Sequence, residues 1–470
     1  MCHSLAEGGR RCTGTPTGRA LSALYRERKS NPGREQEITA RIAQVRAAEK
    51  LYGGRFVTPF EMALPAGVPE ALDDIRAVGN PLIVGGAVRD VTVGADNKDI
   101  DIEVHGATLD ELSAVLKQRG YHVDEVGKQF GVLKVSKRGG VRDLDIAVPR
   151  RENAVGAGHR DFEVTHDADM TVTDAAERRD FTINAMAYDP RLGVLVDPFN
   201  GAQDLKKGVL RAVSDKFAED PLRVLRGVQF AGRFGLTIDQ KTASMCRNLR
   251  PQYDELAKER VAEEWMKLYT KGVHADAAMK VLQATGWDDT IPGLKYACRS
   301  GLVVKSLSKL GTVPTEHRAS VGAALIARDM GFSERRDFIS RTTVGNDTAR
   351  VANALLNTDP GQRTTSYMRK LAARDNAKSG WTWELYGTYA QLIGSDSGVR
   401  VANDAIAEGI GTAPEPPLIQ GRDIIALTSR KPGPWLGKLV DEALDRQYRE
   451  QFTSKEEALA WVQSTDEFKG

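Results

Sequence analysis

Residues 82–104 read LIVGGAVRDVTVGADNKDIDIEV, and this stretch decides the fold of the N-terminal half of the chain. The apolar run Leu82–Val84 is typical of a buried strand, and the glycine pair that follows it predicts a sharp turn. We expect a helix to begin near Ala87 and to be closed by Gly94, since glycine is common just past a helix C-terminus. The pattern therefore predicts a strand, a glycine turn and a short helix in succession.

The glycine turn, Gly85-Gly86, has the features of a phosphate site. A helix N-terminus presents free N–H groups and a positive dipole to an anion, and Arg89 on the first helical turn would add a full positive charge. The spacing matches neither GxGxxG nor GxxxxGKS/T, which argues against a dinucleotide fold and against a Walker loop. The turn indicates phosphate binding by a protein of another class.

The acidic tripeptide Asp99-Ile100-Asp101 opens a run in which acidic and aliphatic residues alternate as far as Val104. Alternation with a period of two places Asp99, Asp101 and Glu103 on one face of a strand. Carboxylates at positions i and i+2 lie about 7 Å apart, so both can converge on one metal ion, and oxygen ligands suit Mg²⁺. A solvated polar face is the competing interpretation of the tripeptide alone. The glycine turn upstream favours the metal site.

The composition of the 470 residues, 41% hydrophobic and 28% charged, is that of a soluble globular protein with about two to four domains. The formal net charge is only +2, so any surface for a polyanion has to be local. No apolar run reaches the length that spans a membrane, and the first residues, MCHSLAEGGRRC, lack the apolar core of a signal peptide. We therefore expect no membrane partner.

The four cysteines are scattered along the chain without CxxC spacing, which argues against a disulfide framework and against a zinc site. Three N-terminal residues, Cys2, His3 and Cys12, have side chains that can ligate a metal, but unrelated reduced residues are the favoured interpretation. The other two cysteines are Cys246 and Cys298. This cysteine pattern fits a reducing compartment, and we expect a cytoplasmic protein.

Hydrophobic periodicity divides the chain into a mixed head and a helical remainder. Strand-like runs, PLIV, DIDIEV, GVLKVS and RDLDIAV, lie between about residues 76 and 150, whereas helical patterns dominate after about residue 205. We therefore expect an α+β fold, with a small mixed-sheet head followed by an elongated, all-helical neck, body and tail. The expected ranges are an N-terminal extension at 1–75, the head at 76–205, the neck at 206–272, the body at 273–400 and the tail at 401–470.

The N-terminal extension is expected to be partly disordered. Residues 1 to about 34 are rich in Gly, Arg, Pro, Thr and Ser, a composition that predicts disorder apart from a short turn. The segment EQEITARIAQVRAAEKL, closed by Gly53-Gly54, predicts one helix.

The combination GGAVRD and DID resembles the family of class II tRNA nucleotidyltransferases, the CCA-adding enzymes, and bacterial poly(A) polymerases. The resemblance runs from about residue 80 to the end, and five further segments match in the order of the family. They are RRDFTINAMAYD (178–189), DPFNGAQDL (197–205), EDPLRVLRGVQFAGRFGL (219–236), KERVAEEWMKL (258–268) and GRDIIALTSRKPGPWLGKLVDEAL (421–444). The resemblance implies template-independent addition or repair of the 3′-terminal CCA of tRNA from CTP and ATP, with Mg²⁺ as cofactor and pyrophosphate as product.

The resemblance also implies roles for single residues. Asp99 and Asp101 would bind two Mg²⁺ ions, and Asp145 would supply a third carboxylate or, as an equal alternative, form the polar side of a strand. A second group would bind the nucleotide, contacting its triphosphate, ribose or base. This group comprises Gly85, Gly86, Arg89, Arg150, Arg179, Asp180, Asn184, Asp220, Arg223 and Arg226, whereas a structural role is favoured for Arg178.

The segment EDPLR offers a physical account of base selection. Asp220 and Arg223 lie three residues apart, on one face of a helix. Cytosine and adenine both present an amino donor beside a ring-nitrogen acceptor, so an Asp acceptor and an Arg donor would suit both. Uracil and guanine carry the opposite pattern and would leave partners unpaired, at about 1–3 kcal/mol each. An N-cap role for Asp220 before Pro221 is the alternative, and the resemblance favours base recognition.

Three departures and weaker matches limit what the resemblance implies. Gln229 stands where many relatives carry an arginine, with Arg233 as a candidate replacement. In AALIARDMG (323–331), Arg328-Asp329 replaces the His-Asp pair of the phosphohydrolase domain of some relatives, so we expect no such activity. In the tail, Lys431, Lys438, Arg446 and Arg449 would contact the tRNA elbow, with the acceptor stem bound at the head. No protein partner is evident.

Three alternatives to CCA addition remain. A poly(A) polymerase usually carries a strongly basic C-terminal region, whereas this tail is of mixed charge. Enzymes that add only CC or only A differ from CCA-adding enzymes in a flexible loop, here at about residues 127–142. A catalytically silent RNA-binding protein is disfavoured because both acidic and base-reading pairs are intact.

Overall fold

The computed structural model describes residues 14–54, 56–95, 99–128, 131–137, 144–154, 162–376, 380–410 and 416–469. The chain divides into two compact units, the first made of Met1–Arg223 with Leu236–Met245 and the second of Val224–Gly235 with Cys246–Gly470. Among the residues listed above by range, no helix is both long and apolar enough to cross a membrane.

The strands of the described chain belong to the first unit. They are β1 (Val57–Pro59), β2 (Asn80–Val84), β3 (Asp101–His105), β4 (His122–Asp124), β5 (Val132–Ser136), β6 (Leu144–Ala147), β7 (Arg150–Ala154), β8 (Phe162–His166), β9 (Ala187–Asp189), β10 (Val194–Val196), β11 (Val209–Leu210) and β12 (Thr237–Ile238). Eight of them form one mixed sheet in the order β1-β10-β9-β2-β3-β6-β5-β4. Strands β3 and β6 run parallel, and the other neighbours in this sheet are antiparallel.

Helices connect and cover this sheet. Those up to the start of the second unit are α1 (Pro16–Ser30), α2 (Glu35–Leu51), α3 (Val68–Ile75), α4 (Gly86–Thr92), α5 (Leu109–Gln118), α6 (Val172–Glu177), α7 (Gly201–Lys207) and α8 (Leu222–Phe234). Thr108 begins α5 with a capping box, in which its Oγ1 accepts from the Glu111 N–H at 3.3 Å and the Glu111 carboxylate accepts from the Thr108 N–H at 2.8 Å. The four strand-like runs expected from the sequence correspond to β2, β3, β5 and β6, so the expected mixed-sheet head is confirmed.

The expectation of disorder up to about residue 34 is wrong for residues 16–30, which form α1. Thr15 caps this helix by accepting from the Gly18 N–H at 3.1 Å, and Pro16 occupies its first position, where the missing N–H costs nothing. The composition of the segment was polar overall, but Leu24 is buried against α2 and the sheet. Burial of such residues stabilises a helix that propensity alone does not predict.

The head sheet begins before residue 76, the start expected from the sequence. Strand β1 lies in the expected extension, yet it pairs with β10, with Val57 opposite Val196. Helices α1 and α2 pack on the same part of the sheet in one apolar cluster. Its members are Leu24, Ile38, Ile42, Val45 and Ala48 from the helices and Val57, Leu82, Val84, Ala187, Val194 and Val196 from the strands.

In the described residues of the second unit every regular element is helical. After α9 (Gln240–Leu249) and α10 (Lys258–Lys271) come α-helices at Ala275–Thr285, Leu294–Arg299, Gly301–Leu307, Arg318–Ala327, Phe332–Thr342, Asn346–Asn357, Thr365–Leu371, Trp383–Leu392, Asp396–Ala407, Gly421–Ile425, Pro434–Tyr448, Lys455–Ser464 and Asp466–Lys469. Helix α10 illustrates why this part of the chain is helical. Its buried residues Val261, Trp265 and Leu268 recur with the helical period. The expected helical remainder is confirmed.

Candidate active site

Three carboxylates meet at the edge where β3 and β6 run side by side. Asp101 begins β3 and is in register with Asp145 on β6, and neighbouring strands lie about 4.8 Å apart. Asp99 and Asp101 are exposed, whereas Asp145 Oδ1 is buried without a hydrogen-bond partner in the described part of the chain, 3.7 Å from Lys134 Nζ. Burial raises the pKa of the Asp101 carboxyl, Arg179 opposes the rise, and Asp145 and Asp99 add to it. The grouping concentrates negative charge that a cation would relieve.

These carboxylates fit Mg²⁺ by the chemistry of their donors. All three side chains offer hard oxygen ligands, and one buried oxygen of Asp145 lacks a partner among the described residues. Among the described residues, no three His, Cys, Asp or Glu side chains are already grouped so that they could hold a metal ion. Mg²⁺ keeps part of its shell for waters and substrate phosphates, so these carboxylates would supply only some of its ligands.

The glycine turn lies at the end of β2, beside Asp101 on the neighbouring strand β3. Gly85 has φ of 69°, in the left-handed region, and α4 begins at Gly86. A Cβ atom on Gly85 would lie 3.1 Å from Arg179 Nη1 and 3.8 Å from Asp101 Oδ2. The turn therefore brings the backbone, a guanidinium and a carboxylate together, and the expected strand, turn and helix are all present.

Arg89 does not lie at the surface of the turn, contrary to the expectation that it lines the triphosphate site. Its side chain is buried, its Nε donates to Asp90 Oδ1 at 2.8 Å, and its Nη1 donates to Asn184 Oδ1 at 2.6 Å. Asn184 Nδ2 in turn donates to Asp180 Oδ1 at 2.9 Å, and the Phe181 N–H donates to the same oxygen at 2.7 Å. Arg89, Asn184 and Asp180 thus form a buried network behind the turn, and the nucleotide-binding role expected for Asn184 and Asp180 stays a prediction.

Glu103, whose role the sequence left open, connects to Arg179. Arg179 Nη2 lies 3.0 Å from Glu103 Oε2, and His105 Nε2 lies 3.2 Å from Glu103 Oε1. His105 Nδ1 is 2.9 Å from the Met170 carbonyl oxygen. Burial alone would raise the pKa of Glu103, but Arg179 and His105 lower it to about 2. The only feature of the sequence that pointed to these contacts was the alternation with a period of two, which places residues 101, 103 and 105 on one face of the strand.

Most of the charged side chains that line a cleft in the first unit are positive. Its cavity volume is about 330 Å³, which is within the range of ligand pockets. Backbone segments 131–132 and 147–149 form part of its wall. Its charged lining consists of Arg150, Arg178, Arg179, Arg223 and Glu103. Four guanidinium groups against one carboxylate favour a polyanionic ligand. Arg178, for which a structural role was favoured, is among them and also contacts Glu219 at 3.4 Å.

The two members of the expected base-reading pair make different contacts. Asp220 Oδ1 accepts from the Leu222 N–H at 3.1 Å, which is the capping role that the sequence left as the alternative. Arg223 lines the cleft and donates to the carbonyl oxygens of Lys216 at 2.7 Å and Arg178 at 2.8 Å. Asp220 is not among the described residues that line the cleft. One carboxylate oxygen of Asp220 is engaged by the cap.

Arg226 belongs to the second unit and is held on the side of α8. Its guanidinium lies 5.5 Å from the Phe230 ring centre, and its Nη1 lies 4.0 Å from Glu264 Oε1. Gln229, which stands in place of a common arginine, is buried. Arg233, the candidate replacement, lies over the Phe234 ring at 4.8 Å. These contacts fix Arg226 within its own unit.

Two further expectations concern the loop and the tail. Of the loop at 127–142, residues 129–130 and 138–142 lie outside the described residues. In the tail, Arg446 contacts Glu442 at 3.2 Å, and Arg449 contacts Asp445 at 2.6 Å. The role of the tail in tRNA binding therefore stays a prediction, and half of its expected contact residues are held in local ion pairs.

Two family models match the chain. Residues 82–211 match the model described as the poly A polymerase head domain. Residues 235–298 match the model described as the probable RNA and SrmB-binding site of polymerase A. The first match contains the glycine turn, the three carboxylates and Arg179.

Curated relatives match about two fifths of the chain. The multifunctional CCA protein of Stenotrophomonas maltophilia (strain K279a) is 40% identical over 190 residues, which cover 39% of this chain and 44% of the relative. The multifunctional CCA protein of Aliivibrio salmonicida (strain LFI1238) is 37% identical over 209 residues, covering 43% and 48%. The chain thus spans a little under half the length of the curated relatives it matches.

Solved structures extend the likeness of fold further along the chain. The crystal structure of the Bacillus stearothermophilus CCA-adding enzyme in complex with CTP has a TM-score of 0.62 at 20% identity, covering 84% of this chain and 95% of that chain. The structure of a CCA-adding enzyme in apo form II has a TM-score of 0.56 at 21% identity, covering 84% and 96%. At these identities the likeness is one of fold.

Proposed function

We propose that this chain, which matches the poly A polymerase head model over residues 82–211 and the RNA-binding model over residues 235–298, is a class II tRNA nucleotidyltransferase that adds or repairs the 3′-terminal CCA of tRNA. The substrates would be CTP and ATP, used without a template, and pyrophosphate would be released. The observation that carries the proposal is the first unit's combination of a carboxylate edge, a glycine turn and a cleft lined by four arginines. An acidic edge beside a basic cleft is what nucleotidyl transfer requires.

The acidic edge would act on the reacting groups. Asp99, Asp101 and Asp145 would hold Mg²⁺, which when bound would activate the 3′-hydroxyl of the RNA and neutralise charge on the triphosphate. Asp101 and Asp145 are in register on neighbouring strands, so their carboxylates could approach one metal ion from the two strands. The hydroxyl oxygen would attack the α-phosphorus in line, forming the new phosphodiester bond as the bond to pyrophosphate breaks.

The basic cleft would bind and orient the triphosphate. Arg179 lies closest to the acidic edge, and Arg150, Arg178 and Arg223 line the rest of the cleft. Gly85 lets the backbone approach the phosphates closely, since any side chain there would meet Arg179. Guanidinium groups bind phosphate oxygens in a forked geometry, so the cleft would hold the nucleotide in one orientation.

Base selection by Asp220 and Arg223 remains part of the proposal. Arg223 lines the cleft, whereas Asp220 caps α8 and would have to turn towards the base. CTP and ATP are also the ligands named for solved CCA-adding enzymes of the same fold, with TM-scores of 0.62 and 0.55.

The test is nucleotide addition to defined RNA ends. A tRNA ending at the discriminator base, and tRNAs ending in C or CC, are each incubated with the protein and with CTP or ATP alone and together. Ordered addition that stops at CCA supports the proposal. Long A-tails would identify a poly(A) polymerase, and addition of only CC or only A would identify a partial enzyme.

Asp101→Asn tests the acidic edge. The substitution removes the negative charge but keeps the shape, so we expect incorporation to fall by more than about 100-fold. Binding of tRNA, measured by gel shift, should stay within about twofold, because phosphate contacts elsewhere supply most of the affinity. Glu70→Gln, on the exposed side of α3, is the control. Retained activity in Asp101→Asn would contradict the assignment.

The cellular location and partners follow from the activity. A tRNA-processing enzyme would act in the cytoplasm, with tRNA as its macromolecular partner through the acceptor stem and elbow. The two described cysteines, Cys246 and Cys298, are free and buried, which agrees with a reducing compartment.

A further inference from the structure

Glu103 is the centre of a chain of contacts that ends at the acidic edge. Its Oε2 is 3.0 Å from Arg179 Nη2, and its Oε1 is 3.2 Å from His105 Nε2. The far side of the His105 ring is fixed by the Met170 carbonyl oxygen, 2.9 Å from Nδ1. These contacts link the Met170 backbone, through the side chains of His105 and Glu103, to the Arg179 guanidinium beside Gly85.

These contacts explain why Glu103 is not a further metal ligand, although it shares the face of β3 with Asp101. Each of its carboxylate oxygens already has a positively charged or ring-nitrogen partner. Its side chain is 14% exposed and that of Arg179 is 25% exposed. A charged carboxylate with so little exposure to water is stable only when charged or hydrogen-bonding groups contact it. The position of the Glu103 carboxylate is therefore determined by Arg179 and His105.

We propose that Glu103 is a positioning residue, which with His105 fixes the Arg179 guanidinium beside the glycine turn for the triphosphate. The inference rests on the proposed function, since it needs a nucleotide in the cleft. A long arginine side chain at a cleft wall loses much rotamer freedom when it binds an anion. Two side chains that hold it beforehand remove that cost, and they also keep Arg179 from folding back onto Asp101.

Glu103→Gln is the first test, with CTP and ATP kinetics as readout. Glutamine keeps the length but loses the charge that holds Arg179, so we expect KM for the nucleotides to rise about tenfold, with a smaller change in kcat. A merely structural role would lower the amount of active protein and leave KM unchanged. Glu70→Gln, an exposed substitution of the same kind, should change neither constant. An unaltered KM in Glu103→Gln would overturn the inference.

A double-mutant cycle shows whether Glu103 acts through Arg179. If it does, Glu103→Gln should have little further effect in an Arg179→Ala background, because the group it positions is gone. Equal and additive losses in both backgrounds would show an independent role. Thermal unfolding of each variant, followed by circular dichroism, reports whether the folded fraction changed.

His105→Gln provides a second variant should Glu103→Gln fold poorly. It leaves the Glu103–Arg179 ion pair in place and removes the contact behind Glu103, so KM should also rise, by a smaller factor.

CTP binding by equilibrium dialysis distinguishes failure of the proposed function from failure of the positioning role. If the wild-type chain binds CTP but adds no nucleotide to RNA, the proposed function fails, while weaker CTP binding by Glu103→Gln still supports the positioning role. Equal CTP affinities would overturn it.

Discussion

Gly85 is held in a conformation that other residues rarely adopt, at the point where three functional groups meet. With φ of 69° and ψ of −126°, a side chain would cost about 1–3 kcal/mol in backbone strain, and its Cβ would also lie 3.1 Å from Arg179 Nη1. We expect Gly85→Ala to lower nucleotide addition by less than about 100-fold, since the Arg179 guanidinium would move by a few tenths of an ångström and a displacement of about 1 Å costs that much. Steady-state kinetics and urea unfolding measure the two consequences.

Gly94 provides the matched control for Gly85. It also has a positive φ, 72°, and a Cβ atom there would meet nothing within 4 Å. Gly94→Ala should therefore lose a similar amount of stability and keep its activity. Equal losses of activity in both variants would show that backbone strain, and not the contact with Arg179, governs the turn.

At the residue scale, the sequence predicted positions along a strand better than contacts between elements. Alternation in DIDIEV placed Asp101 and Glu103 on one face, as observed. It could not show that Glu103 contacts Arg179, because that partner is 76 residues away. The expectation for Arg89 went wrong for the same reason, since the buried acceptors Asp90 and Asn184 decide its direction and only one of them is a sequence neighbour.

At the element scale, α1 and α2 cover the face of the strand that leads to the glycine turn. Ile38 on α2 is fully buried in the cluster that includes Leu82 and Val84 of β2. We expect Ile38→Ala to reduce the free energy of unfolding by about 2–5 kcal/mol, because it leaves a cavity in that cluster. Denaturant unfolding followed by circular dichroism provides the measurement.

Thr39→Ala serves as the control on the same helix, since Thr39 is exposed. It should change the free energy of unfolding by less than about 0.5 kcal/mol. If the two variants were equally stable, the packing of α2 on the head sheet would be wrong.

The strands predicted from sequence were long enough to show a period, but length alone was not sufficient, since β7 and β8 have five residues each and were not predicted. Strands β2, β3, β5 and β6 have four or five residues, and helices such as α10 present a continuous buried face. Strands β1, β4, β9 and β10 have three residues each, too few for alternation to appear. Their pairing is set by neighbours in the sheet, such as Val57 opposite Val196, and by the cluster under α1 and α2.

At the scale of the whole molecule, both described cysteines lie in the second unit, so their reactivity shows whether that unit is folded. Burial raises the pKa of the Cys246 thiol and of the Cys298 thiol to about 12 each. We expect both to resist alkylation in the folded protein at neutral pH, and to react within minutes once urea unfolds that unit. Peptide mapping by mass spectrometry identifies the labelled positions. Rapid labelling of either cysteine in the folded protein would contradict its burial.

The same thiols affect how stability depends on pH. Their pKa in the folded chain lies above the ordinary value of 9.0, so the folded state binds their protons more tightly than the unfolded state. Their contribution to stability is complete below pH 9 and is lost as the pH rises towards about 12. Cys246→Ser should weaken this dependence, which thermal unfolding at several pH values can measure.

The change from a mixed head to helices near residue 205 was visible in the sequence, but the division of the chain was not. The first unit continues to Arg223 and takes in Leu236–Met245, because β12 pairs with β11 and residues 240–245 follow it. Pairing between strands of two residues leaves no pattern in a sequence.

The path of the chain between its units has a consequence for dissecting or exchanging them. The backbone passes from one unit to the other at Arg223–Val224, at Gly235–Leu236 and again at Met245–Cys246. Because the backbone passes between the units three times, one protease cut in this region cannot release two complete halves. Gene fusions that swap one unit for that of a relative would need several junctions, so such exchanges should succeed only when residues 224–245 are transferred piece by piece with the unit to which each belongs.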